Sequence, residues 1–159
     1  MEIFYAVQSL PKSIFLAGPT PRDANTPSWR PRALEILEEI NFDGTVFVPE
    51  SEKWTTKEEY LSQVEWEWEG MNGATVVAFW IPRNLEEMPA FTTNVEFGLM
   101  AHSSKVVLGY PPHTPKMGYL HALAKRYNIQ VVSSLETLLA IAVETTKKPF
   151  ESEVRYDIA

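Results

Sequence analysis

A chain of 159 residues, 45% hydrophobic and 22% charged, has the size and composition of one globular domain (1–159) and excludes disorder and coiled coil. Its 14 basic against 21 acidic residues leave a net charge of −7, which argues against a duplex nucleic-acid binder. The lack of cysteine excludes disulfides, zinc–thiolate centres and a cysteine nucleophile, and no apolar run approaches the ~18 residues of a membrane span.

The N-terminus carries Glu2, with Lys12 too late for a signal-peptide n-region, so a cytoplasmic protein without a membrane partner is expected. Ile3 to Val7 reads as an edge strand or an arm. Ser13 to Ala17 reads as a strand ending in the loop signal Gly18-Pro19. Ser28 offers an N-cap to a helix from about Trp29 to Ile40, with Pro31 in its first turn. Asp43-Gly44 turns the chain into a strand, Thr45 to Val48, stopped by Pro49. Thr56 with Glu59 predicts a capping box on a helix to about Asn72. Thr75 to Ile81 has the continuous apolar character of a strand buried on both faces. After a loop of about eleven residues, Thr93 with Glu96 predicts another capping box and a helix to about Ser103. Lys105 to Gly109 reads as a strand, Pro115 to Tyr127 as a helix, and Ile129 to Val132 as a strand. Ser133 with Glu136 predicts the cap of a last helix to about Glu144. A core of about 13–144 and a polar tail, 145–159, result.

Five β-then-α units predict an α/β fold: a flavodoxin-like, doubly wound, five-stranded parallel sheet with helices on both faces. Five strands suggest the order 2-1-3-4-5, which the sequence itself does not fix. Ligands of such sheets sit beyond the carboxyl ends of the strands, where strands one and three part. That rule points to the loops Gly18–Ser28 and Pro82–Glu96.

The available chemistry is carboxylate chemistry. No dinucleotide or P-loop glycine signature is present, and no G-x-S-x-G elbow. His102, His113 and His121 lack metal-ligand spacing, so no metal site is expected. Glu96 follows the loop after the most buried strand. It reads either as the acid of a capping box or as a carboxylate kept ionised at a helix N-terminus and available as a nucleophile. Glu67 falls within the apolar stripe Tyr60, Val64, Trp68 and Met71 at ~100° per residue, while Glu58, Glu59, Glu65 and Glu69 fall on or near the solvent side. Either it snorkels or pairs at the stripe edge, or this face opens onto a wet pocket. Five tryptophans, six tyrosines and eight phenylalanines include core residues; those near strand ends are candidates to stack a planar ring.

Leu16-Ala17-Gly18-Pro19-Thr20, Ser28-Trp29-Arg30, Val48-Pro49-Glu50, Glu65-Trp66-Glu67, Ala78-Phe79-Trp80, Asn94-Val95-Glu96-Phe97-Gly98 and Gly109-Tyr110-Pro111-Pro112 occur in that order, with Tyr119-Leu120 following. In order and spacing, over roughly Ser13 to Val143, they resemble the nucleoside 2-deoxyribosyltransferase superfamily, in particular its deoxyribosyltransferase-like branch. The resemblance implies cleavage of a nucleoside N-glycosidic bond and transfer of the sugar to another base, with a nucleoside or nucleotide and a free base as partners and no cofactor. Two alternatives stand beside it: a hydrolase of nucleosides or nucleoside monophosphates on the same scaffold, for which Ser28, Arg22 and Arg30 are candidate phosphate contacts, and a nucleotide-binding module without turnover. The resemblance implies Glu96 as nucleophile, with Gly98 completing its E-x-G motif, and Glu67 as the assisting acid. Gly18, Pro19, Trp29, Arg30, Asn94 and Gly98 are the implied substrate-binding positions. It further implies a homo-oligomer, to which the tail with Phe150, Tyr156 and Ile158 is a candidate contributor. Two positions depart from the pattern. Arg83 stands where members often carry a carboxylate, which alters base recognition or leaving-group protonation there. Thr75 stands where they often carry an Asp.

Overall fold

The computed structural model describes residues 11–22, 25–50 and 56–147. The expected arm at Ile3–Val7 and the tail residues Phe150, Tyr156 and Ile158 lie outside that range. Within it, ten elements alternate: β1 (Ser13–Ala17), α1 (Arg30–Glu39), β2 (Thr45–Phe47), α2 (Lys57–Gly73), β3 (Val76–Trp80), α3 (Phe91–Met100), β4 (Val106–Gly109), α4 (Gly118–Arg126), β5 (Gln130–Val132) and α5 (Leu135–Thr146).

The five strands form one sheet in the order β2-β1-β3-β4-β5, and every pairing is parallel. This is the flavodoxin-like α/β architecture. Parallel strands need crossovers, and the crossover helices cover both faces. On one face, Phe15, Ala17, Val77, Phe79 and Leu108 meet Met71 of α2, Phe97 and Met100 of α3, and Leu120 and Ala124 of α4. On the other, Ile14, Leu16, Val76, Ala78 and Trp80 meet Ala33, Ile36 and Leu37 of α1 and Leu138, Leu139 and Ala142 of α5. All residues of β1 and β3 are buried, because both strands carry apolar side chains in both directions and both directions meet a helix. At the amino edge, Thr75 is a structural pin: the Ser13 amide donates to its Oγ1 at 3.2 Å, and its own amide donates to Ser13 Oγ at 3.0 Å.

Several helix starts differ from expectation. The box of Thr56 and Glu59 forms as expected, each side chain accepting the other's backbone N–H. Ser28 does not cap α1; the N-cap is Trp29, and Ser28 Oγ accepts the Arg30 amide at 3.2 Å. The last helix is capped by Ser134, which accepts the Thr137 amide at 3.2 Å, one residue beyond Ser133. No Thr93–Glu96 box exists. Helix α3 begins three residues earlier, at Phe91, behind Ala90 as N-cap in a left-handed conformation with φ 62°. Asn94 N–H already donates to Ala90 O at 3.1 Å, so Thr93 is interior and Glu96 lies in the second turn. The uncommon backbone at Ala90 ends the loop abruptly, which the residue type gives no sign of.

The stripe on α2 is also narrower than its spacing suggests. Trp68 and Tyr60 are 52% and 48% exposed, whereas Met71 is buried and Val64 and Glu67 are half-buried. A helix following β2 runs back from the carboxyl edge of the sheet. Its first turns therefore face the ligand edge, and only its last turns reach the core.

Candidate active site

The carboxyl edge between β1 and β3 holds a cavity of about 280 Å³. Its walls come from the Gly18–Thr20 loop with Arg22, from Arg30, from Pro49 after β2, from one face of α2 (Tyr60, Gln63, Val64, Glu67) and from Pro89 through Thr93 with Glu96. Both loops singled out by the switch-point rule contribute. The helices divide their work along their length. On α2 the inward face is Gln63-Val64-Glu67 at the cavity and Met71 in the core. On α3 it is Thr92-Thr93-Glu96 at the cavity and Phe97-Met100 in the core.

The first loop is held by two side chains from the start of α1. Trp29 Nε1 donates to Pro19 O at 3.1 Å, and the indole lies so near Gly18 that a Cβ there would sit 2.8 Å from its ring. The same Cβ would lie 2.1 Å from Trp80 O, so only glycine lets β1 leave the sheet beside β3. Arg30 is buried, and its guanidinium serves the loop. Nε donates to Leu16 O at 3.3 Å, Nη2 to Gly18 O at 2.7 Å and Nη1 to Thr20 Oγ1 at 3.0 Å. Glu50 answers the charge at 3.7 Å and accepts from Ser28 Oγ at 2.8 Å. These bonds offset the several kcal/mol that burying an unpaired cation would cost.

Two carboxylates face this cavity. Burial, then the negative charge of Glu67, raise the Glu96 carboxyl from 4.5 to about 7, against the opposing pull of Arg30. Burial also raises Glu67, opposed by a hydrogen bond from Gln63 Nε2 to its Oε1 at 2.9 Å and by the charge of Arg30. Near neutral pH, then, Glu96 passes readily between acid and carboxylate. Arg30 supplies a positive charge behind the pair, with one donor of each guanidinium nitrogen committed to the first loop.

Of the residues singled out from sequence, Glu96, Glu67, Gly18, Pro19 and Arg30 come together around the cavity. Trp29 stands behind the first loop rather than in the wall. Asn94 is turned toward Arg83, whose Nη2 donates to its Oδ1, and Gly98 stands on the exposed outer side of α3 with open space at its Cβ. Sequence reasoning passed over Gln63, which orients Glu67. The signal for Gln63 was present, since it precedes Glu67 by one helical turn. Arg22, a candidate phosphate contact with Ser28 and Arg30, has its guanidinium 5.6 Å from the Phe91 ring centre at the cavity mouth.

An α/β sheet with paired, partly buried carboxylates at its switch point defines the class of protein. The family described as nucleoside 2-deoxyribosyltransferase like matches residues 11–114, most of the chain and every wall of the cavity. The chain belongs to that family, and membership suggests a deoxyribosyltransferase-like activity. None of the curated proteins matches it. Among the described residues no helix is long and apolar enough to cross a membrane.

Proposed function

We propose that the protein cleaves the N-glycosidic bond of a (deoxy)nucleoside through a covalent glycosyl-glutamate and passes the sugar to another base. The observation that carries this reading is the pair Glu67 and Glu96, both raised, both facing one cavity at the switch point. Positive charge develops on the sugar as the base departs. A carboxylate already destabilised by burial and by a like neighbour gains more from meeting that cation than a solvated one does. Glu96 in its ionised form attacks the anomeric carbon as the carbon–nitrogen bond breaks, and the electron pair leaves with the base. The incoming base then attacks the glycosyl ester from the vacated side, so the configuration is retained overall. Glu67, held by Gln63, orients the sugar or carries the proton that the leaving base needs.

A hydrolase acting on nucleosides or nucleoside monophosphates is the second reading, and Arg22 favours its monophosphate form. Ser28 and Arg30 are engaged with Glu50 and the first loop. Among the described residues, the Arg22 guanidinium at the cavity mouth makes a long 3.4 Å bond to Glu86 O and lies over the Phe91 ring, which leaves it able to meet a phosphate. A nucleotide-binding module without turnover is the third.

Assembly is part of the proposal. The outer face of α3 exposes Phe91, Val95 and Leu99 at four-residue spacing, which suits it to pair with a second copy.

One experiment separates these readings: chromatography of the protein with mixed deoxynucleosides, or their monophosphates, and a free base. Base exchange that is lost in Glu96→Gln supports the transferase. Free sugar and base without exchange support the hydrolase. Tight binding without turnover, unchanged in Glu96→Ala, supports the binding module.

A further inference from the structure

We propose that Arg83 is a positioning residue for Glu96: it fixes the pose of helix α3 from behind by tying Asn94 to the chain that enters α4. The inference rests on the reading of Glu96 as the reacting carboxylate.

Arg83 lies just past β3, where its own amide turns back to Ile81 O at 2.8 Å. Its side chain is buried, yet no ion pair to it occurs among the described residues. Instead the guanidinium joins two neighbouring segments. Nη2 donates to Asn94 Oδ1, and Nη1 donates to Lys116 O at 2.8 Å and to Pro115 O at 3.4 Å. Its Nε, also buried, has no hydrogen-bond partner among the described residues. A cation without an opposing carboxylate is costly to bury, and an apolar side chain would fill the volume with less penalty. The side chain makes physical sense as a link.

What it links is the weakly anchored part of the site. Helix α3 starts at Ala90 with no side-chain cap, and α4 starts at Met117 with none either. Neither helix entry therefore has a polar anchor of its own in the usual form. Asn94 and Glu96 are two residues apart, about 200° around the helix. While Glu96 faces the cavity, Asn94 faces away from it, onto Arg83. A bond on the far side resists rotation and sliding of α3 about its axis, the motions that would withdraw Glu96 from Glu67 and Arg30. The planar fork spans both acceptors at once; a lysine ammonium presents its donors from one point.

The test is a set of variants, Arg83→Met, Arg83→Lys, Asn94→Ala and Arg83→Met with Asn94→Ala, followed by two readouts. The first needs no substrate: the Glu96 carboxyl is titrated by carbon-13 NMR, assigned by its loss in Glu96→Gln. Loosening α3 admits water to Glu96, so its midpoint moves down from about 7 toward 4.5 in all four variants, with lysine giving no full rescue. The second is base exchange or hydrolysis per folded molecule. Here kcat falls roughly ten- to a hundredfold with little change in KM, and the double variant is no worse than the poorer single one. An unchanged Glu96 titration in well-folded variants overturns the proposal, as does a double variant whose losses simply add. If wild type turns over nothing, the reading of function fails while the titration still decides the linkage. If Arg83→Met does not fold, Asn94→Ala, at a half-buried helical position, decides alone.

Discussion

The ionisation of Glu96 is the most consequential property of a single residue here, and its sign can be worked out. In the unfolded chain the group titrates near 4.5; in the folded protein it titrates near 7. Between those values the folded state holds a proton that the unfolded state releases. Stability therefore falls as pH rises through that window and levels above about 7. The full penalty is on the order of 3 kcal/mol. Glu96→Gln removes it, so urea unfolding should find the variant more stable than wild type by ~2–3 kcal/mol at pH 8, with the gap shrinking below ~1 kcal/mol near pH 5. A variant that is less stable at both pH values would contradict the burial of this carboxylate. Kinetics probe the same group from the other side. If Glu96 attacks as a carboxylate, kcat/KM rises with pH to a plateau above about 7. In Glu67→Gln the neighbouring negative charge is gone, so the midpoint of that rise should move to lower pH even as the plateau drops. A midpoint that stays put would mean the two carboxylates do not sense each other.

Elements show which parts of the molecule were legible in sequence. The five β-then-α units, the buried β3 and the cap on α2 follow from local patterns, and the structure contains them all. Glu67 was legible because an acid on an inward stripe violates the helical pattern, and the violation coincides with the cavity. Glu96 was found by a different route, since its supposed cap does not exist. The start of α3 hinges on the left-handed Ala90, a backbone state that the loop as a whole imposes on an ordinary alanine. Trp68 was misread because spacing assigns a helix its inward face without saying which turns extend past the sheet. Arg30 and Arg83 were illegible in role, because each makes its bonds to backbone or amide groups far away in sequence. The first loop supplies an element-scale test. In Gly18→Ala the added methyl meets Trp80 O at 2.1 Å and the Trp29 ring at 2.8 Å, and a strand carbonyl cannot yield as a flexible side chain would. A loss of more than ~2 kcal/mol in thermal or urea unfolding is expected, together with a collapse of ligand binding. A change within ~0.5 kcal/mol would show that the loop is freer than its bonds to Trp29 and Arg30 imply.

For the whole molecule, the question is what covers α3. Glu96 is the only charged residue on that helix, and it faces the cavity, so Val95 and Leu99 present an uncharged outer face, with the Arg22 guanidinium against Phe91 at its cavity end. Two such faces can meet across a two-fold axis without like charges opposing, and an antiparallel arrangement opposes the helix dipoles favourably. Helix α2 cannot pair with itself so readily, because Glu58, Glu59, Glu65 and Glu69 all stand on its exposed surface. Phe91 belongs both to the exposed stripe and to the cavity wall, so a partner seated on α3 also reaches the cavity mouth. Water exclusion there would favour transfer to a base over loss of the sugar to water. Sedimentation at micromolar concentration should therefore find a dimer or a larger even assembly in wild type, and monomers after Val95→Glu with Leu99→Glu. The same double variant should keep its fold, because both side chains point outward, and should shift the products from base exchange toward free sugar. Monomeric wild type at every concentration would remove α3 as an interface. Dissociation without any change in the ratio of exchange to hydrolysis would separate assembly from water exclusion, leaving the acceptor side of the cavity to be closed by the chain's own loops.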